Sequence, residues 1–275
     1  MPVVAMTREM GSRGREVAQR VAEDLGLTLV LHELIEHDLA QRLQVPASAV
    51  HHRFEGGATL RERWQIPSRR LAQYTAEGIL ELAQKGNVLI RGWGACEVVR
   101  DVPHVVRVRI CAPMELRERS VMQRRSKDRG AARREIARND AAHKRTLQAA
   151  FGVDREDPLL YDLVLNTERL SVETCARLVR ELVESPELRE TDASRAILDD
   201  KVLEAHMRVK LRERFTAGTG VSGIAATARG GKVVLEGIAI HPTLADEAGK
   251  IVASIPGVRD VDNRVEIVRG PRGLG

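Results

Sequence analysis

The sequence predicts an α/β protein, a parallel sheet flanked by helices, joined to a small C-terminal α+β module. Three observations predict it. Apolar strand-like runs alternate with helical patterns through residues 1–185, the pattern of a parallel sheet covered on both faces. Residues 3–27, VVAMTREMGSRGREVAQRVAEDLGL, pass from an apolar strand through a glycine turn into an amphipathic helix, which is how a phosphate-binding loop is laid out. At residues 186–196, PELRETDASRA, the periodicity stops, and a different succession of helix and strands follows over 197–269.

The elements follow in order. Val3–Thr7 reads as a short buried strand, and residues 14–25 as a helix with Val17, Val21 and Leu25 on one face. LTLVL (27–31) is a second strand, followed by helical patterns over His32–Leu43 and Ser68–Gln84. NVLIRG (87–92) and HVVRVRICA (104–112) have the β-branched richness of strands. Met114–Phe151 reads as strongly helical and basic, YDLVLNT (161–167) as the last strand of the sheet, and Val172–Val183 as its closing helix. Asp162 is expected to be a structural carboxylate at a strand end, and His51-His52 a polar loop pair. Beyond the linker a helix is expected over Ile197–Phe215, then two strands within VSGIAATARGGKVVLEGIA turning at Arg229-Gly230-Gly231, a helix near Leu244–Ala253, and GVRDVDNRVEIV.

Composition narrows the function classes. At 275 residues and 43% hydrophobic, the chain can bury a core without disulfides. Its three cysteines, Cys96, Cys111 and Cys175, form no CxxC pair, which argues against a disulfide framework or a zinc site; burial is expected for all three. The histidines lack ligand spacing, so no metal-ligating residues are assigned. No apolar run approaches the ~20 residues that span a bilayer, and MPVVAMTREM has no secretory pattern. The chain is expected in the cytoplasm.

The net charge of +5 is unevenly placed: residues 117–145 hold eleven Lys and Arg against four acids. Such a cluster suits nucleotide phosphates or another polyanion, although a charge run is also what a solvated helical face looks like. Aromatics at 3% argue against base-stacking platforms and so against nucleic acid as a partner.

Gly11 and Gly14 permit backbone conformations and close approaches that side chains block. The full phosphate-loop motif is G-x-x-x-x-G-K-[ST]. Aligned on Gly14, this chain has Glu9 in place of the first glycine, Arg15 for lysine and Glu16 for the hydroxyl residue. Arg15 can neutralise phosphate as a planar fork; Glu16 could meet magnesium only as a carboxylate.

TREMGSRGREVAQRVAEDLGL resembles the opening of the cytidylate-kinase-like family. LHELIEHDL, NVLIRGWGACEVVRD, ICAPMELRERSVMQR and DPLLYDLVLNTERL resemble later segments of that family in the same order, over residues 3–184. The resemblance implies a P-loop kinase-like sheet and phosphoryl transfer from ATP to CMP or dCMP with Mg2+. Arg8, Gly11, Ser12, Arg13, Gly14, Arg15 and Glu16 would form the phosphate loop. Arg91, Gly92, Trp93 and Gly94 would lie near the acceptor nucleotide. Arg117 and Arg124 would begin a mobile lid, and Arg138, Asp140 and Arg145 its far side; Arg15 and these five are the catalytic candidates. Trp93, where relatives tend to show arginine, and His32, where an acid is common, depart from the family pattern. IAATARGGKVVLEGIA and IPGVRDVDNRVEIV resemble a BON domain, which implies a C-terminal module binding phospholipid or protein.

Two other readings stand beside the kinase. The chain could be a catalytically inactive nucleotide-binding regulator acting through its tail, favoured by Glu9, Glu16 and Trp93. RNA binding would require the arginines of 117–145 to spread over one outer face.

Overall fold

The computed structural model describes residues 1–55, 66, 68–92, 94–216 and 218–268, apart from the side chains of 32–34, 55 and 68. The chain divides into two units, Met1–Thr191 and Asp192–Gly275.

The first unit is a five-stranded parallel sheet in the order β2-β3-β1-β4-β5, built from β1 (Val3–Arg8), β2 (Thr28–Val30), β3 (Val88–Arg91), β4 (Val105–Cys111) and β5 (Leu163–Asn166). Val3, Val4, Ala5 and Met6 are all buried, which is why β1 reads as a continuous apolar run: it is the central strand, covered on both faces. On one face Val4, Met6, Val106, Val108 and Ile110 form a core with Val17, Ala18 and Val21 of α1 (Gly14–Leu25) and Cys175, Ala176 and Val179 of the closing helix Val172–Val183. The intervening β4 residues Arg107 and Arg109 point to the opposite face by the period-two alternation of a strand. Around that sheet run α2 (His32–Leu43), α3 (Ala47–Glu55), α4 (Ser68–Lys85) and the short α5 (Ala95–Val98).

Three expectations are refined or changed here. Met114–Phe151 is two helices, α6 (Met114–Arg125) and α7 (Arg129–Phe151). Ser126 takes a left-handed conformation at φ 48°, and Asp128 caps α7 by accepting from the backbone N–H of Ala131 at 2.8 Å. The two helices are held together by carboxylates that each take two cations: Glu118 pairs with Arg129 (2.7 Å) and Arg133 (3.6 Å), and Glu135 with Arg125 and Lys127. Much of the basic cluster is therefore internal counter-charge. Second, His51 and His52 lie in α3, not in a loop, and His51 Nδ1 is 3.1 Å from the buried Glu36. Third, Cys111 is only partly buried, while Cys96 and Cys175 are buried.

With the closing helix of the first unit as α8, the second unit consists of α9 (Asp192–Arg214), β6 (Val221–Arg229), β7 (Lys232–Ala239), α10 (Pro242–Ala253) and β8 (Asp260–Ile267). α9 starts at Asp192, before the expected Ile197, and Ser194 and Leu198 along its first turns are buried. β6 and β7 pair antiparallel and β7 and β8 parallel, over a core of Leu203, Met207, Leu211, Val233, Leu235, Ala248 and Val252. The turn is Gly230-Gly231 with both φ positive (60° and 79°), the two-residue hairpin geometry that glycine permits. No helix among the described residues is long and apolar enough to cross a membrane.

Candidate functional site

The chain leaves β1 to build β2 and β3 on one side and β4 and β5 on the other, so the crevice beyond its carboxyl end lies at the point where the connections diverge. Ligands of open parallel sheets bind at that point. Arg8, Arg91 and Cys111 end the three central strands there.

Residues 9–13 form the turn from β1 into α1. Gly11 has φ 84° and Arg13, at the N-cap of α1, φ 59°. The N–H groups of the first helical turn, Gly14, Arg15 and Glu16, have no partner within the helix, and the dipole makes that end electropositive. Ser12 is fully buried: its hydroxyl donates to the Glu9 carbonyl (2.8 Å) and lies 3.2 Å from that of Ile110, while the Thr167 hydroxyl donates to the Ser12 carbonyl (2.8 Å). The Ser12 side chain thus anchors the turn. Both glycines serve close contact within the protein. A Cβ on Gly11 would lie 2.6 Å from the backbone oxygen of Arg117, and one on Gly14 2.6 Å from Cβ of Arg8. α6 therefore rests directly on the turn.

That contact brings charges together. Arg117, 5% exposed, donates from Nε to the Met10 carbonyl (2.8 Å) and from Nη2 to both oxygens of Asp140 (2.8 Å each), and its Nη1 is 3.6 Å from Glu9. Glu9 accepts from Arg109 Nη2 (3.0 Å) and from the backbone N–H of Ala112 (3.2 Å). Arg155, also 5% exposed, has Nη1 3.8 Å from Asp140 and Nη2 3.4 Å from the Arg8 carbonyl, and its own carbonyl accepts from Arg109 and from the Tyr161 hydroxyl. The result is a ring of Glu9, Arg117, Asp140, Arg155 and Arg109 drawn from five parts of the chain. It contains three guanidiniums and two carboxylates, an excess of positive charge facing the turn. Burial works against the Arg109 charge, but the hydrogen bond and charge of Glu9 outweigh it and raise its pKa. Burial pushes the Tyr161 hydroxyl up, helped by the nearby Glu97.

The other sequence candidates are placed as follows. Arg13, Arg15 and Glu16 are exposed, and Arg8 is half-buried. Arg91 is buried; Gly92 (φ 99°) donates its N–H to the Met6 carbonyl at 2.9 Å. Gly94 (φ 76°) lies so close to Phe151 that a Cβ would be 2.6 Å from its ring. Trp93 and the His32 side chain lie outside the described residues. Arg124 is exposed, with Nε 3.4 Å from the Ser120 carbonyl. Arg138 and Arg145 are exposed on the side of α7 away from the buried Ala132 and Ile136. The structure thus joins Arg117 and Asp140 to the turn and leaves Arg124, Arg138 and Arg145 at the surface. Asp162 accepts from the backbone and guanidinium of Arg107, a strand-end structural contact.

Sequence reasoning passed over Arg109 and Arg155 and treated Glu9 only as a departure from a motif. A signal for Arg109 exists, since Arg107 and Arg109 interrupt an apolar strand at period two and so share one face. Arg155 has no local signal, because it reaches the site only where the chain returns after α7.

The helix N–H groups and the cationic ring are both electropositive, the sign that suits a phosphate. The carboxylates of this region are Glu9 and Asp140 in the ring, the latter with its side chain 31% exposed, and Glu16, exposed on the first turn of α1. Magnesium takes one or two carboxylate oxygens together with those of the phosphates; Glu16 is exposed for that role, whereas both oxygens of Asp140 already accept from Arg117.

Residues 3–169 match the model of the cytidylate kinase-like family. The chain belongs to the cytidylate kinase-like family. Residues 199–269 match the BON domain. A cytidylate kinase of Pyrobaculum aerophilum is 29% identical over 178 residues, covering 65% of this chain and 90% of that protein. Another, from Staphylothermus marinus, is 31% identical over 104 residues, 38% of this chain and 58% of that one. The fold is shared with an uncharacterized protein from Eubacterium ventriosum, with a TM-score of 0.54 at 20% identity over 67% of this chain and 99% of that one. The cytidylate kinase-like family thus supplies the context for the turn, the ring and the sheet.

Proposed function

We propose that this chain is a nucleoside monophosphate kinase that transfers the terminal phosphoryl group of ATP to CMP or dCMP. The observation that carries the reading is the Arg117 guanidinium, fixed by Nε on the Met10 carbonyl of the glycine turn itself. Phosphoryl transfer needs positioning and charge stabilisation more than covalent participation. The α1 N–H groups and Arg15 would hold the donor phosphates. Arg117, with Arg109 and Arg155 behind it, would balance charge on the group in transit as an acceptor phosphate oxygen forms a bond to phosphorus and ADP leaves. Magnesium, held through Glu16, supplies further charge neutralisation when bound. Arg91, Gly92, Trp93 and Gly94 would face the acceptor, and Arg124, Arg138 and Arg145 would act only if the helical pair moves over the bound nucleotides.

Residues 1–185 would form the kinase domain and 197–269, entered through α9 from Asp192, a module that binds phospholipid or protein, in a protein working in the cytoplasm. The second reading, a nucleotide-binding regulator without catalysis, draws on Arg15 and Glu16 standing exposed where lysine and a hydroxyl are usual. Purified protein with magnesium ATP and a panel of nucleoside monophosphates, scored for ADP, separates the two. ADP formed with CMP or dCMP supports the kinase; nucleotide binding with no ADP for any acceptor supports the regulator.

A further inference from the structure

We infer that Glu9, which the motif comparison marks as a defect, is the positioning residue of the phosphate site. It rests on the phosphate-binding part of the proposed function. A carboxylate pointed at bound phosphate would repel it, but both oxygens of Glu9 are already turned into the protein. Oε1 accepts from Arg109 and Oε2 from the N–H of Ala112, and Oε2 also lies 3.6 Å from Arg117. The backbone of the same residue is equally engaged. Its N–H donates to the Ile110 carbonyl (3.0 Å), and its carbonyl accepts the hydroxyl and N–H of Ser12 (2.8 and 3.2 Å).

Glu9 therefore joins the strand end to the turn through its main chain and to two guanidiniums through its side chain. Glycine at this position could supply the first set of contacts and none of the second. Arg117 comes from α6 and Arg109 from β4; with like charges side by side, they need a shared anion to stay together when no phosphate is bound. Glu9 meets that need from behind, and Asp140 holds the other edge of Arg117 at 2.8 Å. A charge-assisted pair of this kind fixes where the guanidinium sits before ligand arrives, which is the preorganisation that phosphate binding requires.

The test uses the full chain and inorganic tripolyphosphate as the probe, measured by calorimetry, with CMP-dependent ADP formation as a separate readout. Glu9→Gln keeps the size and the acceptor for Ala112 but removes the charge. In the native background it should weaken tripolyphosphate binding tenfold or more. In a background carrying both Arg109→Gln and Arg117→Gln, shown to be folded by circular dichroism, it should weaken binding less than threefold, because the residue acts through those two guanidiniums. Glu9→Asp provides a second variant that keeps the charge, and its affinity should fall between those of the native protein and Glu9→Gln. Equal losses in both backgrounds would assign Glu9 to general structure and overturn the inference, as would a native protein that binds no tripolyphosphate. A native protein that binds tripolyphosphate but forms no ADP refutes the kinase alone, and the variant series then still decides the role of Glu9.

Discussion

Arg117 and Asp140, 23 residues apart, meet through two hydrogen bonds of 2.8 Å from one guanidinium nitrogen to both carboxylate oxygens. The pair bridges α6 and α7, and the same arginine also reaches the glycine turn. The proposed phosphate site and the packing of the two helices are therefore joined in one side chain.

Replacing Arg117 with Ala should lower CMP-dependent turnover tenfold or more, on the order of 1.4 kcal/mol. The resemblance placed this arginine at the start of a mobile lid. Because the arginine is 5% exposed, its removal should also destabilise the fold by roughly 2–4 kcal/mol, a figure reduced for the partial exposure of Asp140. Arg124→Ala should change stability by no more than about 0.5 kcal/mol. Urea denaturation of both variants checks the contrast.

Gly14→Val should abolish ATP binding. The side chain would have to displace Arg8 and Ile110, whose atoms lie 2.6–3.3 Å from its Cβ position, so the turn would move before any nucleotide arrived. Gly11→Ala meets Arg117 backbone at 2.6 Å in a left-handed conformation and should cost about 1–3 kcal/mol. Calorimetry with ATP and a melting curve test the two; native affinity in Gly14→Val would contradict the placement of the site.

Arg15 is exposed on the first turn of α1, so its substitution tests function with little disturbance of the fold. In an active kinase Arg15→Lys should keep or raise turnover, and Arg15→Ala should weaken ATP binding and turnover together. Full activity in Arg15→Ala would show that this position does not do the work of the motif's lysine.

Glu97 is 5% exposed, and neither of its oxygens has a hydrogen-bond partner among the described residues. Burial raises its pKa above the ordinary 4.5, with its own backbone N–H, Arg155 and Arg107 opposing only in part. The folded state thus binds the proton more tightly than the unfolded chain, so stability falls as pH rises from about 4.5 through the folded value. Glu97→Gln should remove that slope. Melting temperatures taken between about pH 5 and pH 7 should diverge, with the variant gaining relative to the native protein as pH rises; parallel curves would place the group in water.

The sequence by itself determined the parallel sheet, the glycine turn and the glycine hairpin of the tail. These are properties of neighbours in the chain: β1 is apolar at every buried position, and Gly230 and Gly231 permit the positive φ that a two-residue hairpin needs. The break at Ser126 was written locally too, in Asp128 as a cap, but the helical composition on both sides hid it. Tertiary structure alone decided which charges matter. Arg117 and Arg124 are seven residues apart on one helix, and one is buried against the turn while the other is exposed, because only the first meets Met10 and Asp140. Arg109, Arg155 and Glu9 come together from three distant segments. Electrostatic interactions depend on distance in space and on burial, and neither is set by local sequence.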